Sequence, residues 1–183
     1  MTATATGARF RLSQRLRKLV LTIHVVTTVG WLGAVLVFVA LAAIGLTSTE
    51  TQSLRSALFI MEPLAWYVLV PLAAASLVVG IIQSLGTPWG LIRQYWVTFK
   101  LLITIFSTIV LISYMTTFNQ MSEAALNPAS TADQLRPFAG SVLLHGGLAL
   151  AGLVISVVLS IYKPRALTPY GHRRTERTET PGS

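Results

Sequence analysis

Four long stretches of this chain carry almost no charge: Leu19–Leu46, Pro63–Leu85, Tyr95–Phe118 and Phe138–Tyr162. A helix rising 1.5 Å per residue needs about 20 apolar residues to cross roughly 30 Å of hydrocarbon, and each stretch reaches that length. In lipid the backbone must satisfy its own hydrogen bonds, so such stretches fold as helices. Composition agrees: 53% of the 183 residues are hydrophobic and 11% charged, too few charges to clothe a water-facing surface. The expected fold is all-α, an integral membrane four-helix bundle running up-down-up-down, and a soluble domain is excluded.

Charge sets the expected direction of insertion. The net charge is +8, with Arg9, Arg11, Arg15, Arg17 and Lys18 before the first span, Arg93 between the second and third, and Lys163, Arg165, Arg173, Arg174 and Arg177 after the fourth. The opposite connections carry Arg55 and Arg136 beside Glu50, Glu62, Glu123 and Asp133. The bias of bases toward the inner side places both termini in the cytoplasm, in a multi-pass protein of the cytoplasmic membrane. The positive charge is then topology and contact with the lipid bilayer, and it implies no nucleic acid.

The organisation expected is a basic N-terminal segment (1–18), a four-span bundle (19–162, spans about 19–46, 63–85, 95–118 and 138–162) and a basic tail (163–183), solvated and containing His172. Thr47–Ser56 and Asn127–Pro137 read as outer loops, Asn119–Pro137 as the longest connection, and Gly86–Arg93 as a tight inner turn punctuated by Pro88 and Gly90. The basic start resembles that of a signal peptide, but the uncharged run is too long and lacks a clear cleavage site, so it reads as a retained span.

The chain contains no cysteine, which excludes disulfides, thiolate metal sites and iron–sulfur clusters. Polar residues within the spans mark the bundle interior, because facing lipid costs them hydrogen bonds. Helical spacing sorts them into stripes: His24, Thr28, Trp31 and Phe38 in the first span; Glu62, Trp66, Leu69, Ala73, Ser76, Gly80 and Gln83 in the second; Lys100, Thr104, Ser107, Thr108 and Met115 in the third; Ser141, His145, Ala149, Gly152, Ser156 and Ser160 in the fourth. Gly30, Gly33, Gly80 and Gly152 are read as sites of close helix packing.

Two histidines stand out, since imidazole packs poorly and ligates well. His24 lies six residues past Lys18, about 9 Å in, whereas His145 lies 18 residues before Lys163, about 27 Å from the same boundary. Nitrogens sharing one metal sit about 4 Å apart, so a vertical gap near 18 Å prevents both from ligating one metal within a subunit. Two sites, or one site and one structural histidine, remain. Near His24 in depth are Gln83, Arg93, Tyr95, Trp96 and Lys100; near His145 are Glu62, Trp66, Met61, Tyr114 and Met115, with Met121 just beyond. Haem b suits such surroundings: axial His24 or His145 with a second histidine or with Met61 or Met115, aromatic walls including Trp31 and Trp66, and Lys100 or Arg93 for the propionates. Copper(I) suits the outer thioether and imidazole set, Met61, Met115 and His145.

The run from His24 to Ala34 (HVVTTVGWLGA), the turn Leu85 to Gly90 (LGTPWG) leading through Tyr95–Trp96–Val97 to Lys100–Leu101, and the ending Tyr162–Lys163–Pro164 with Leu167–Thr168–Pro169–Tyr170–Gly171 resemble the small four-helix membrane proteins of actinobacteria catalogued as a domain of unknown function. The resemblance covers Leu16 to Arg174 and implies a fold. A more distant likeness, carried by His24, Trp31 and Gly33, is to CopD-type copper-resistance membrane proteins and their cytochrome-b-like relatives. It implies copper or haem chemistry, and this chain has four spans where the CopD pattern is longer.

The leading expectation is a membrane b-type cytochrome, and so a membrane oxidoreductase, that carries electrons within or across the membrane from quinol or a similar donor. A copper-handling membrane protein and a cofactor-free scaffold are the alternatives. Proton-driven transport is disfavoured, since the acid nearest a span, Glu62, sits at its edge; no Ser/His/Asp arrangement of a hydrolase is present. Each histidine lacks a second ligand of its own, so a homodimer about an axis along the membrane normal is expected, pairing like residues at equal depth.

Overall fold

The computed structural model describes residues 13–86, 91, 94–162 and 167–168. Helix α1 spans Gln14–Thr47, α2 Thr51–Leu64, a π-helical turn Ala65–Leu69, α3 Val70–Leu85, α4 Tyr95–Leu126 and α5 Ala132–Tyr162. Helix α2, the π turn and α3 run on as one rod, Thr51–Leu85, so the described residues form an all-helical fold with four helices long and apolar enough to cross a membrane. We call the end where α1 starts and α5 finishes the near end, and the end holding the α1–α2 and α4–α5 connections the far end.

The helices overrun the expected spans. Thr51–Ser56, Asn119–Leu126 and Ala132–Pro137, all expected in loops, are helical, and the far-end connections shrink to residues 48–50 and 127–131. Leaving the hydrocarbon does not end a helix; that requires a cap for the last four carbonyls or first four N–H groups. At the far end arginines supply it. Arg55 in α2 donates from Nη1 to the carbonyls of Ala125 (2.9 Å) and Asn127 (2.6 Å), and from Nη2 to those of Pro128 (3.2 Å) and Ser130. Arg136 donates to the Leu46 carbonyl at the end of α1 (2.9 Å). A cation at a helix C-terminus also complements the macrodipole. The start of α5 is closed by Gln134, whose Oε1 accepts from the Thr131 N–H at 2.9 Å, half of a capping box.

The π turn originates in Pro71. Proline lacks an N–H and its ring crowds the carbonyl four residues back, here Tyr67; widening the turn relieves this, and the Val70 N–H reaches five residues back to Ala65. One extra residue per turn rotates everything upstream. The buried stripe therefore runs Leu58, Met61, Ala65, Leu69, Ala73, Ser76, while Trp66, expected on the inner face, is 47% exposed. That expectation is corrected by the π turn, which a constant 3.6-residue period does not contain.

Helix α1 packs against α3 and α5, and α2 against α4. Gly146 permits the α1–α5 approach, since a Cβ there would lie 3.0 Å from Val39 Cγ2. The apolar core fills the middle and far part of the bundle with Trp31, Phe38, Leu58, Met61, Met115, Phe118, Met121 and Leu135. Toward the near end the buried set thins to Val20 and Val97, with Ser76, Ser156 and Thr168. Exposed apolar side chains such as Val26, Val29, Phe106, Ile109, Leu144 and Leu148 clothe the outside, a surface compatible with a bilayer. The tail was expected to be wholly solvated, yet Leu167 pairs with Gln94 in an antiparallel bridge and Thr168 is 8% exposed. Backbone pairing brings this short segment back onto the near end.

Replacing Arg55 by Met should lower stability by about 2–3 kcal/mol, the value of losing a charged donor to several carbonyls. Reversible unfolding in mixed micelles reads this, and Arg55→Lys should recover only part because one ammonium does not span four carbonyls. An Arg55→Met protein as stable as the parent would show that the clamp is not needed.

Candidate functional site

At the near end, α1 presents His24 to α3. The residue facing the ring is Gly80, where a Cβ would lie 3.0 Å from His24 Cε1 and 3.6 Å from Nδ1. One turn on, the Thr28 hydroxyl donates to the His24 carbonyl (2.7 Å) and pairs with Ser76 Oγ (2.8 Å), tying α1 to α3. A carbonyl only accepts, so Thr28 spends its proton there and Ser76 donates to Thr28. The imidazole Nδ1 is buried without a hydrogen-bond partner.

Helix α4 adds Lys100, within electrostatic reach of His24. Its Nζ donates to Ser160 Oγ of α5 at 2.6 Å and lies 5.5 Å from the Trp96 ring centre. Ser160 passes its proton to the Ser156 carbonyl at 2.8 Å, whereas Ser156 Oγ itself is buried without a partner, as is Gln83 Oε1 of α3. At this end the first stripe read from sequence meets the second through His24 on Gly80 and Thr28 with Ser76, and the third meets the fourth through Lys100 with Ser160.

His145 is placed differently. It lies 17 residues before the end of α5, about 26 Å along it, whereas Gly80, level with His24, is five residues from the end of α3, about 8 Å. The two imidazoles do not share a site within one chain. Expected on the interior stripe of α5, His145 is instead exposed on the flank of the bundle. The buried residues of α5, Leu135, Ala139, Val142, Leu153 and Ser156, lie on a neighbouring face. Its Nδ1 lies 2.8 Å from the Ser141 carbonyl and 3.4 Å from Ser141 Oγ. Because the carbonyl only accepts, Nδ1 carries the hydrogen, and in the neutral ring Nε2 is left as a bare lone pair. The Tyr114 ring of α4 lies tilted at 44° to the imidazole, ring centres 5.1 Å apart, and its hydroxyl donates to Ser141 Oγ at 2.7 Å, holding the residue that holds the histidine. Second-shell hydrogen bonding of this kind orients ligating imidazoles in metal proteins.

Met61 and Met115 are 0% and 5% exposed within the apolar core, so the thioethers are inside while the imidazole is outside. Trp31 is buried in the same core, Trp66 faces outward, and Arg93 lies outside the described residues. Lys100 sits with His24, not with His145. Among the described residues no three His, Asp or Glu side chains come together as a metal-binding group. The arginine clamp and the Tyr114–Ser141–His145 relay were not read from sequence; the spacing of Ser141 and His145 at i, i+4 was the available signal for the latter.

Comparison with protein-family models, with curated proteins and with solved structures finds no match to this chain. The sites stand on their own chemistry.

Gly80→Ala should cost about 1–2 kcal/mol by pressing a methyl group on the imidazole. In a His24→Ala background the same change should cost less than about 0.5 kcal/mol, since the crowded atom is gone. Equal penalties in the two backgrounds, measured by unfolding in micelles, would show that Gly80 accommodates something other than His24.

Proposed function

We propose that this protein is a membrane b-type cytochrome-like electron carrier, inserted in the cytoplasmic membrane with its near end and both termini inside, as the positive-inside rule directs. The observation that carries the reading is His145: a lipid-facing imidazole whose Nδ1–H is bonded to the Ser141 carbonyl, leaving Nε2 as a bare lone pair. A polar atom facing lipid without a partner is costly, and this tautomer suits axial ligation. The donor set fits haem b: a nitrogen ligand set by a hydrogen bond, with Leu144 and Leu148 exposed beside it as apolar walls. Bound there, haem supplies a reversible one-electron couple, with quinol as the class of donor.

The second nitrogen ligand comes from His145 of another copy. A two-fold axis along the membrane normal sets the two residues at equal depth, so the proposed unit is a homodimer with one haem for two chains. His24, enclosed between α1 and α3 against Gly80, has no part in this ligation.

Purification after haem-replete expression should give a Soret band and a reduced-minus-oxidised difference at about one haem per two chains. His145→Ala should abolish both, and His24→Ala should leave them intact. Absence of the band in the parent protein, or insensitivity of the spectrum to His145→Ala, would overturn the reading.

A further inference from the structure

Helix α1 starts outside the bundle. Residues 13–19 are all exposed, and the first buried residue of the helix is Val20. Gly80 faces His24, and α3 ends five residues past Gly80 at Leu85, a level that α1 reaches five residues before His24, at Leu19. Helix α1 therefore begins about 8 Å beyond the end of its neighbour, with Ser13 as N-cap accepting from the Leu16 N–H at 3.4 Å. Three side chains of this projection are cations, Arg15, Arg17 and Lys18, and among the described residues none of them is held by a hydrogen bond or an ion pair. At the far end Arg55 and Arg136 are turned onto backbone carbonyls instead. The four described acids, Glu50, Glu62, Glu123 and Asp133, all lie in the far half of the bundle, so no carboxylate of the described residues answers the bases on α1.

The pattern of exposure says what lies opposite them. Leu16, Leu19 and Leu21 interleave with the bases and are 44%, 55% and 46% exposed. Arg15 and Lys18, three residues apart, share one side of the helix, and Arg17 projects from another, so the charges encircle the helix and form no pocket. Exposed Tyr95 at the start of α4 and Tyr162 at the end of α5 mark the boundary between hydrocarbon and water at this end. A soluble polyanion would meet the charges and leave the leucines in water. A phospholipid meets both, its acyl chains along the leucines and its phosphate against the bases, whose long stems reach from one to the other. A zwitterionic headgroup also brings an ammonium against three uncompensated cations, whereas that of phosphatidylglycerol brings a net negative charge and no ammonium.

We infer that the projecting start of α1 binds anionic phospholipids, whose headgroups meet Arg15, Arg17 and Lys18 and whose acyl chains lie against Leu16 and Leu19. This surface is distinct from the His145 flank and does not rest on the electron-carrier reading, so its test needs no haem.

The full chain is reconstituted in phosphatidylcholine vesicles with a trace of phosphatidylglycerol or phosphatidylcholine carrying a nitroxide on one acyl chain, and electron spin resonance reads the fraction of each label slowed at the protein surface. One base near an anionic surface favours a headgroup about fivefold, so phosphatidylglycerol, averaged over all lipid around the bundle, should be preferred about threefold at low salt. The preference should fall to near parity in about 1 M NaCl, where the Debye length is about 3 Å. The triple change Arg15→Gln, Arg17→Gln and Lys18→Gln should remove at least half of it, with circular dichroism checking that the helices are kept, while Arg15→Lys with Arg17→Lys should retain it. Changing Arg173, Arg174 and Arg177 together to Gln should leave it nearly unchanged, since Glu176 and Glu179 lie among those bases. Parity of the two lipids for the parent chain, a preference that salt does not move, or equal losses from the two triple changes would overturn the inference; the first two need no variant to fold. Parity of the lipids together with heparin bound through the same three bases in detergent would overturn it in favour of a soluble polyanion.

Discussion

A polar atom in hydrocarbon has no water to return to, and the structure follows from how each such atom is answered. The commonest answer is local. Thr22, Thr27, Thr28, Thr104, Thr108 and Ser113 return their hydroxyl hydrogens to carbonyls four residues back, which makes a threonine on a spanning helix acceptable on any face. The next answer joins helices: Thr28 with Ser76, Lys100 with Ser160, Tyr114 with Ser141. Helix ends at the far side need a stronger one, and the arginine clamp gives it to carbonyls of the α4–α5 connection and of α1. Against this background the atoms left over are informative, because the rest of the chain shows how readily a partner is otherwise found.

The two halves of the bundle are built on different terms. The middle and far part is dry and aromatic, with Phe38, Phe118 and Tyr114 in edge-to-face contact at 5.1–5.4 Å. The near part is polar and thinly packed. Hydrogen bonds between helices in a membrane average about 0.6 kcal/mol, whereas an unpartnered buried group costs about 1–3 kcal/mol. His24, Gln83 and Ser156 therefore subtract from the stability that the far half supplies.

Much of this was legible from sequence. Hydrophobic length determined four helices, and the stripes of the first and third spans hold: Trp31, Phe38 and Met115 are buried. The second stripe holds from Leu69 onward and fails before it, because the π turn at Ala65–Leu69 changes the period where Pro71 demands it. Trp66 was misplaced for that reason alone. Loop lengths were overestimated because polarity marks the edge of the hydrocarbon, not the end of a helix, and the arginines that cap those ends act on carbonyls up to 90 residues away in sequence. His145 was placed inward on the rule that polar residues avoid lipid. The rule counts partners within one chain, and His145 satisfies one of its two nitrogens that way.

That half-satisfied ring bears on how the proposed dimer would form. The protomer buries its core without a second chain, so on the proposed reading it would fold first and associate afterwards. The polar group that the proposed interface would use is Nε2 of the exposed His145. A hydrogen bond in a membrane is worth about 0.6–2 kcal/mol, too little to overcome the several kcal/mol of rotational and translational freedom lost when two chains join. Ligation of a haem iron by His145 of each chain would be stronger and directional, and would act only with the cofactor bound. On the proposed reading, assembly and haem loading are one event, and the relay of Tyr114 on Ser141 on His145 keeps the ring aimed outward before the second copy arrives.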